Sequence, residues 1–122
     1  MKKLLILTLL AIPGISAATS KALDYCATVE SWAAQKVIQQ LVQTHKDLDP
    51  KNATASLLVR TAIKEQEKPV TLGEWGPLYT QTIKIQLPFI DNKKLPMTVI
   101  ASSIISAEEC SLSEPSYIDM GI

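Results

Sequence analysis

The apolar residues between Leu23 and Val42 recur every three or four positions, which is the spacing of one face of an α-helix. They are Leu23, Cys26, Ala27, Ala33, Val37, Ile38, Leu41 and Val42. Thr19 or Ser20 can cap the start of this helix, and His45 lies where a positive group favours a helix C-terminus. The pattern predicts a long N-terminal helix that ends at about His45, with Cys26 on its buried side.

The second half of the chain alternates apolar and polar residues, as strands with one buried face do. The clearest strand is 79–87, and a second strand, 97–106, follows the polar turn 91–94. Because their connection is short, the two strands predict an antiparallel hairpin. Residues 116–120 predict a short final edge strand.

Residues 56–66 also alternate and are predicted as a strand, although Ala53, Ala55 and Ala62 leave a helix open. Pro50 breaks the chain before them, and residues 69–77 form a loop rich in glycine and proline. The predicted fold class is α+β. One long N-terminal helix packs on a three- to four-stranded antiparallel β-meander, and one disulfide joins them.

Residues 1–18 have the pattern of a cleaved signal peptide. Lys2 and Lys3 precede an apolar run, and Ala17 or Ala18 provides the small residue needed at a cleavage site. The run is too short to span a bilayer as a helix, so no stable membrane anchor is expected after cleavage. We expect residues 19–122 to form a single domain that is exported to the periplasm or secreted by a bacterium.

Cys26 and Cys110 are the only cysteines, and both remain after the predicted cleavage. In an oxidising compartment an even pair favours a disulfide over metal binding or a reactive thiol. The bridge would close most of the domain, and the chain-entropy model assigns such a loop about 4–5 kcal/mol. The residues before Cys26 are not the small ones that lipidation requires, so a lipoprotein is rejected.

The charges exclude several classes of partner. The formal net charge of 0 becomes −2 when Lys2 and Lys3 leave with the leader, and no long block of either sign remains. Nucleic-acid binding needs clustered Lys and Arg, so no nucleic-acid partner is predicted. The same absence of clustering argues against a polybasic membrane surface.

The sequence gives little support for catalysis or metal binding. His45 is the single histidine, and a histidine at a helix end is more often a dipole partner than a base or ligand. Ser102 and Ser103 lack the glycine-flanked turn that exposes a nucleophile. The acidic groups at 65–67 and 108–109 are explained as solvated turns, and Asp47 and Asp49 likewise. We therefore predict no enzyme, no metal and no cofactor.

The loop around Trp75 is the best functional candidate. Trp75 lies between Gly73 and Gly76, beside Glu74, and exposed aromatic residues often dominate protein interfaces. The competing interpretation is that Trp75 folds back over the core. Tyr79 and Trp32 could extend the patch if the helix start lies near the loop. Glu74, Trp75, Tyr79 and Trp32 are the predicted partner-binding residues.

In layout the chain resembles small exported bacterial proteins of the YebF and colicin M immunity type. What matches, over about residues 23–117, is an early cysteine at a helix, a β-meander and a late cysteine, Cys110, just after a strand. No shared motif accompanies the layout, and the longer predicted helix and the 69–77 loop depart from it. The resemblance implies binding instead of catalysis, and it carries over no functional residue.

The sequence thus predicts a small exported binding protein that captures another protein, as an immunity or inhibitor module does. One alternative is a small enzyme or ligand carrier whose acidic residues, such as Glu74 or Glu109, work in a cleft. Another is a structural envelope protein without a dedicated ligand. The partner's identity and the oligomeric state are left open.

Overall fold

The computed structural model of the chain describes residues 21–121, so the predicted signal peptide, residues 1–18, lies outside the described residues. Among the described residues, two helical regions precede the sheet. Residues 21–25 are helical, and after a turn the helix α1 runs over Trp32–Thr44. Short 3-10 helices follow at Pro50–Asn52 and Gly73–Trp75.

The strands account for most of the regular structure, with 39 % of the described residues. They are β1 (Thr54–Ala62), β2 (Lys64–Glu65), β3 (Lys68–Pro69), β4 (Tyr79–Leu87), β5 (Met97–Ile105) and β6 (Ser116–Asp119). One four-stranded sheet has the order β1-β4-β5-β6, and every neighbouring pair is antiparallel. β2 and β3 form a separate two-stranded hairpin.

The main core lies between α1 and one face of the sheet. The helix contributes Ala34, Val37, Ile38 and Leu41, and the sheet contributes Ile83, Ile85, Leu87, Val99 and Ala101. Strict alternation along β4 and β5 sends every second side chain to this core face. The opposite face carries polar residues of β4 and both hydroxyl and apolar residues of β5, and Thr82 Oγ1 and Ser102 Oγ lie 2.8 Å apart there. The helix therefore covers only one face of the sheet.

The predicted long N-terminal helix is wrong. Between residues 26 and 31 the chain turns before α1 begins, and α1 itself has only 13 residues. The N–H groups of Cys26, Ala27 and Thr28 donate to carbonyls three positions back, not four, so the helix tightens and ends. The predicted fold class, a long helix on a meander, is corrected to a mostly β fold with one helix of moderate length.

The predicted disulfide between Cys26 and Cys110 is present, with the two Cα atoms 5.3 Å apart. It links the turn before α1 to the loop after β5, across a sequence separation of 84. Cys26 is buried with Leu23 and Ile105 in a second, smaller core, and Tyr79 packs against this cluster. The bridge therefore closes one end of the sheet.

Among residues 21–121, no helix has the length and apolar character needed to cross a bilayer.

Candidate functional site

Residues 63–78 connect β1 to β4 and project from the end of the sheet. We call this segment the arm. Nearly all of it is exposed, including residues 64–69 and 71–75. Its backbone is nevertheless tied together where it leaves the sheet. The N–H of Val70 donates to the carbonyl of Ile63, and the N–H of Leu78 donates to the carbonyl of Val70, each at 2.9 Å. The N–H of Ile63 donates in turn to the carbonyl of Leu78, also at 2.9 Å, so the arm is held at its base.

The first part of the arm is the β2–β3 hairpin. Its turn residues, Gln66 and Glu67, have φ angles of 52° and 69°. Left-handed backbone is unfavourable for residues other than glycine, and two-residue hairpin turns of this kind normally use Asn-Gly. The hairpin tip therefore holds two large polar side chains on backbone that glycine would adopt more easily.

The second part of the arm is a tight turn that presents Trp75. Gly73 and Gly76 have φ angles of 50° and 80°, which explains why glycine flanks the tryptophan. The N–H of Leu72 donates to the carbonyl of Gly76 at 3.0 Å and closes the turn. Leu72 is 48 % exposed and Trp75 is 39 % exposed. Glu74, between them, is also exposed, so an acidic group separates two apolar ones.

Trp75 belongs to neither core cluster of the described residues. Tyr79, in contrast, packs against Leu23, Cys26 and Ile105 beside the disulfide. The structure therefore divides the predicted binding residues. Glu74 and Trp75 lie on the arm, and Tyr79 supports the core at the arm's base.

Trp32 is the first residue of α1 and is 38 % exposed. The Nζ of Lys36 lies 5.7 Å from the centre of its ring, and the same Nζ is 4.0 Å from a carboxylate oxygen of Glu114. The C-terminal end of α1 leads to Leu48, which bridges to Phe89 beyond the end of β4. The start of α1 therefore lies at the arm's end of the molecule, but no hydrogen bond, ion pair or core cluster of residues 21–121 joins Trp32 to Trp75.

A network around Arg60 attaches the N-terminal segment to the sheet, and the sequence analysis did not identify it. The Arg60 guanidinium donates to Gln81 Oε1 at 3.1 and 3.0 Å, to the carbonyl of Leu23 at 2.9 Å and to Asp24 Oδ1 at 3.0 Å. Gln81 is buried and donates to the carbonyl of Cys26 at 3.0 Å. Arg60 and Gln81 thus hold the disulfide segment in place.

The edge strand β1 carries three consecutive exposed apolar residues, which we call the apolar triplet: Leu57, Leu58 and Val59, at 40 %, 51 % and 52 % exposure. The register with β4 shifts between Leu57 and Val59, so Leu58 lies in a β-bulge. The alternation of the sequence could not reveal a bulge, because a bulge is defined by the pairing with β4.

The alternative function predicts Glu74 or Glu109 in a cleft. A groove among residues 21–121 has a volume of about 330 Å³ and is lined by Thr80, Ser102, Ser103, Ile104, Ser113, Glu114 and Ser116. Neither Glu74 nor Glu109 lines it. No cluster of three metal-ligating side chains occurs within the described part of the chain.

The turn after α1 contains one perturbed acid. A hydrogen bond from Lys94, 3.2 Å from Asp47 Oδ2, lowers the pKa of the Asp47 carboxyl. His45 Nδ1 lies 2.9 Å from Thr44 Oγ1 and 3.3 Å from the carbonyl of Leu41. His45 is thus engaged with the end of its own helix.

No protein-family model, no curated protein and no solved structure matches this chain at a significant level.

Proposed function

We propose that this protein is a small exported binding protein that captures another protein, with the arm as its main contact surface. The single observation that carries the proposal is the turn 72–76. It exposes Leu72 and Trp75 on backbone that hydrogen bonds already hold in one conformation. A preformed surface loses less conformational entropy on binding than a flexible loop does, and tryptophan is the residue most enriched among interface hot spots.

The rigidity of the rest of the molecule also supports this proposal. The disulfide and the Arg60 network fix the segment that precedes α1 against the same end of the sheet. Binding residues on loops are commonly positioned by such a scaffold. We propose capture in preference to catalysis, of the kind that an immunity or inhibitor module performs. Export is proposed from the signal-like residues 1–18, and the disulfide is compatible with it.

The test compares matched truncations at the two ends of the molecule. Leu72→Ala and Trp75→Ala on the arm are each compared with Leu95→Ala, whose side chain is 71 % exposed in the loop between β4 and β5. The protein is expressed with a purification tag in its own cells, and proteins that co-purify with it are identified and quantified by mass spectrometry. We expect both arm variants to lose at least tenfold of the captured partner, while Leu95→Ala retains it.

Thermal unfolding of the same variants separates binding from folding. If Trp75→Ala lowers the melting temperature strongly, then Trp75 stabilises the core, and Leu72→Ala alone decides the role of the arm. Equal capture by Leu72→Ala, Leu95→Ala and the unsubstituted protein would refute the arm as the contact surface.

A further inference from the structure

The four-stranded sheet ends in two different edges within residues 21–121. β1 forms one edge and β6 the other, and no further strand of the described chain pairs with either. Edge strands present unpaired backbone N–H and C=O groups, which another strand can bind. Both edges also expose apolar side chains, the apolar triplet on β1 and Ile118, 68 % exposed, on β6.

The strand directions make the two edges complementary. Each of the three neighbouring pairs is antiparallel, so β6 runs opposite to β1. If a second copy is displaced sideways without being turned over, its β1 lies antiparallel to β6 of the first copy. The sheet then continues from one copy to the next, and the α1 helices stay on the same side of it.

In one register of this arrangement, the side chains of β6 and β1 form favourable cross-strand pairs. Val59 pairs with Thr82 and Ile118 pairs with Ile100, so both side chains belong to the face that α1 leaves uncovered. Placing Ile118 opposite Val59 buries two exposed β-branched residues against each other, a favourable cross-strand pair. Ser116 then lies opposite Thr61 on the same face.

The charges of the two edges do not oppose the contact. Arg60 is the only charged residue of β1, and Asp119 is the only charged residue of β6. The Arg60 guanidinium is already bonded to Asp24 and Gln81 of its own copy, so the contact needs no new ion pair. Like charges placed opposite each other would oppose pairing, and none are present.

A symmetric pairing of β1 with β1 of another copy is less favourable because of the bulge. In a pairing centred on Leu58, Leu57 of one copy lies opposite Val59 of the other. Leu57 pairs with the buried Ile83 and belongs to the core face, whereas Val59 belongs to the opposite face. Residues on opposite faces cannot pack together, so a symmetric contact in this register cannot bury the apolar triplet.

We propose that copies of this protein associate head to tail, with β6 of one copy adding to β1 of the next. Such a contact uses two different surfaces, so a dimer still has one free β1 edge and one free β6 edge, to which further copies can add. Since β6 has only four residues, the association is weak and depends on protein concentration. The proposal is independent of the arm's function.

The first experiment uses single cysteine variants. Val59→Cys and Ile118→Cys are purified separately, mixed and oxidised mildly, and the products are separated on a non-reducing gel. We expect a disulfide-linked dimer that forms at least tenfold faster in the mixture than in either variant alone. Gln39→Cys, on the exposed side of α1, mixed with Ile118→Cys gives the background rate. Peptide mapping verifies that Cys26 and Cys110 remain bonded to each other.

The second experiment measures association without added cysteines. Sedimentation velocity of the purified protein should show an average mass that rises with concentration. Ile118→Lys should abolish this rise, while Ile90→Lys, at a site of matched exposure of 70 %, should retain it. Dimers of Val59→Cys alone as the main product would overturn the proposal in favour of symmetric pairing. A constant monomer mass, or equal association of both lysine variants, would also overturn it.

Discussion

Replacing Arg60 with methionine tests how the N-terminal segment is attached to the sheet. Methionine retains most of the apolar stem but removes every donor of the guanidinium. Gln81 Oε1 and the carbonyl oxygen of Leu23 then lose their hydrogen-bond donor. Gln81 is only 1 % exposed. The Arg60 side chain itself is 13 % exposed, so these bonds are largely shielded from water.

The expected loss in the free energy of unfolding depends on which of these hydrogen bonds are buried. A hydrogen bond involving a charged group contributes about 1.5–3 kcal/mol, and a buried acceptor left without a partner costs about 1–3 kcal/mol. The ion pair with Asp24 adds little, since the Asp24 side chain is 67 % exposed and exposed pairs contribute about 0–1 kcal/mol. We therefore expect Arg60→Met to lower the free energy of unfolding by about 2–4 kcal/mol, and Asp24→Asn by less than about 1 kcal/mol.

Urea unfolding with the disulfide intact, followed by far-UV circular dichroism, measures both values. The dependence of the free energy on urea should remain the same for all three proteins, which verifies that the unfolded states are comparable. Equal losses for the two variants would refute the reasoning, because they would show that the exposed ion pair dominates over the buried hydrogen bonds.

Three further predictions concern the hairpin, the helix start and a carboxylate. Glu67→Gly should raise the free energy of unfolding by about 1 kcal/mol, because glycine relieves the left-handed backbone of the β2–β3 turn; an unchanged or lowered value in urea unfolding would contradict this. Ser31→Ala should be neutral or stabilising in thermal unfolding, since the buried Ser31 Oγ makes no cap bond and has no partner among the described residues; a loss of about 1 kcal/mol, usual for an N-cap, would contradict it. Lys94→Met should raise the pKa of Asp47 in an NMR carboxyl titration, because Lys94 donates to that carboxylate. With a pKa lowered by folding, ionised Asp47 stabilises the fold above its unfolded pKa, and this contribution disappears as the pH falls through the folded pKa. An unchanged Asp47 titration in the variant would contradict the stated cause.

Strands β4, β5 and β6 were predictable because their signal is local. The predicted strand 56–66 is instead divided between β1, Thr54–Ala62, and β2, Lys64–Glu65, which pairs only with β3. β4 has the predicted bounds, Tyr79–Leu87, since each of its residues alternates between a buried core and an open face. β5 and β6 end within one residue of their predicted ends. Alternation between polar turns is sufficient where one face is buried and the other is not.

The helix was mispredicted because its apolar spacing continues across a break. Leu23 is buried before the break, Cys26 and Ala27 are buried within it, and Ala33, Ala34 and Val37 are buried after it. Periodicity alone joins these groups into one helix. The local cause of the break is visible only in the structure, where Thr28 Oγ1 donates to the carbonyl of Tyr25 at 2.7 Å and Cys26 turns toward Cys110.

The candidate site was predictable only in part. The glycines on both sides of Trp75 indicated a loop, and the structure has left-handed backbone at Gly73 and Gly76. The role of Trp75 in binding stays a prediction. The edge position of the apolar triplet and the role of Arg60 depend on partners far away in sequence, Thr82 and Gln81 among them. A single sequence contains no signal for such pairings.

The disulfide determines how the protein responds to mechanical force. Tension applied to the chain before Cys26 and after Cys110 passes directly through the covalent bond between them. Residues 27–109, which include α1 and the strands β1, β4 and β5, form a closed ring that carries no load. Among residues 21–121, β6 is the only strand outside this ring, so pulling would first detach β6 from β5 and leave β1, β4 and β5 paired. Under tension, only the residues outside the ring would unfold and extend. The covalent bond between Cys26 and Cys110 would then prevent further extension.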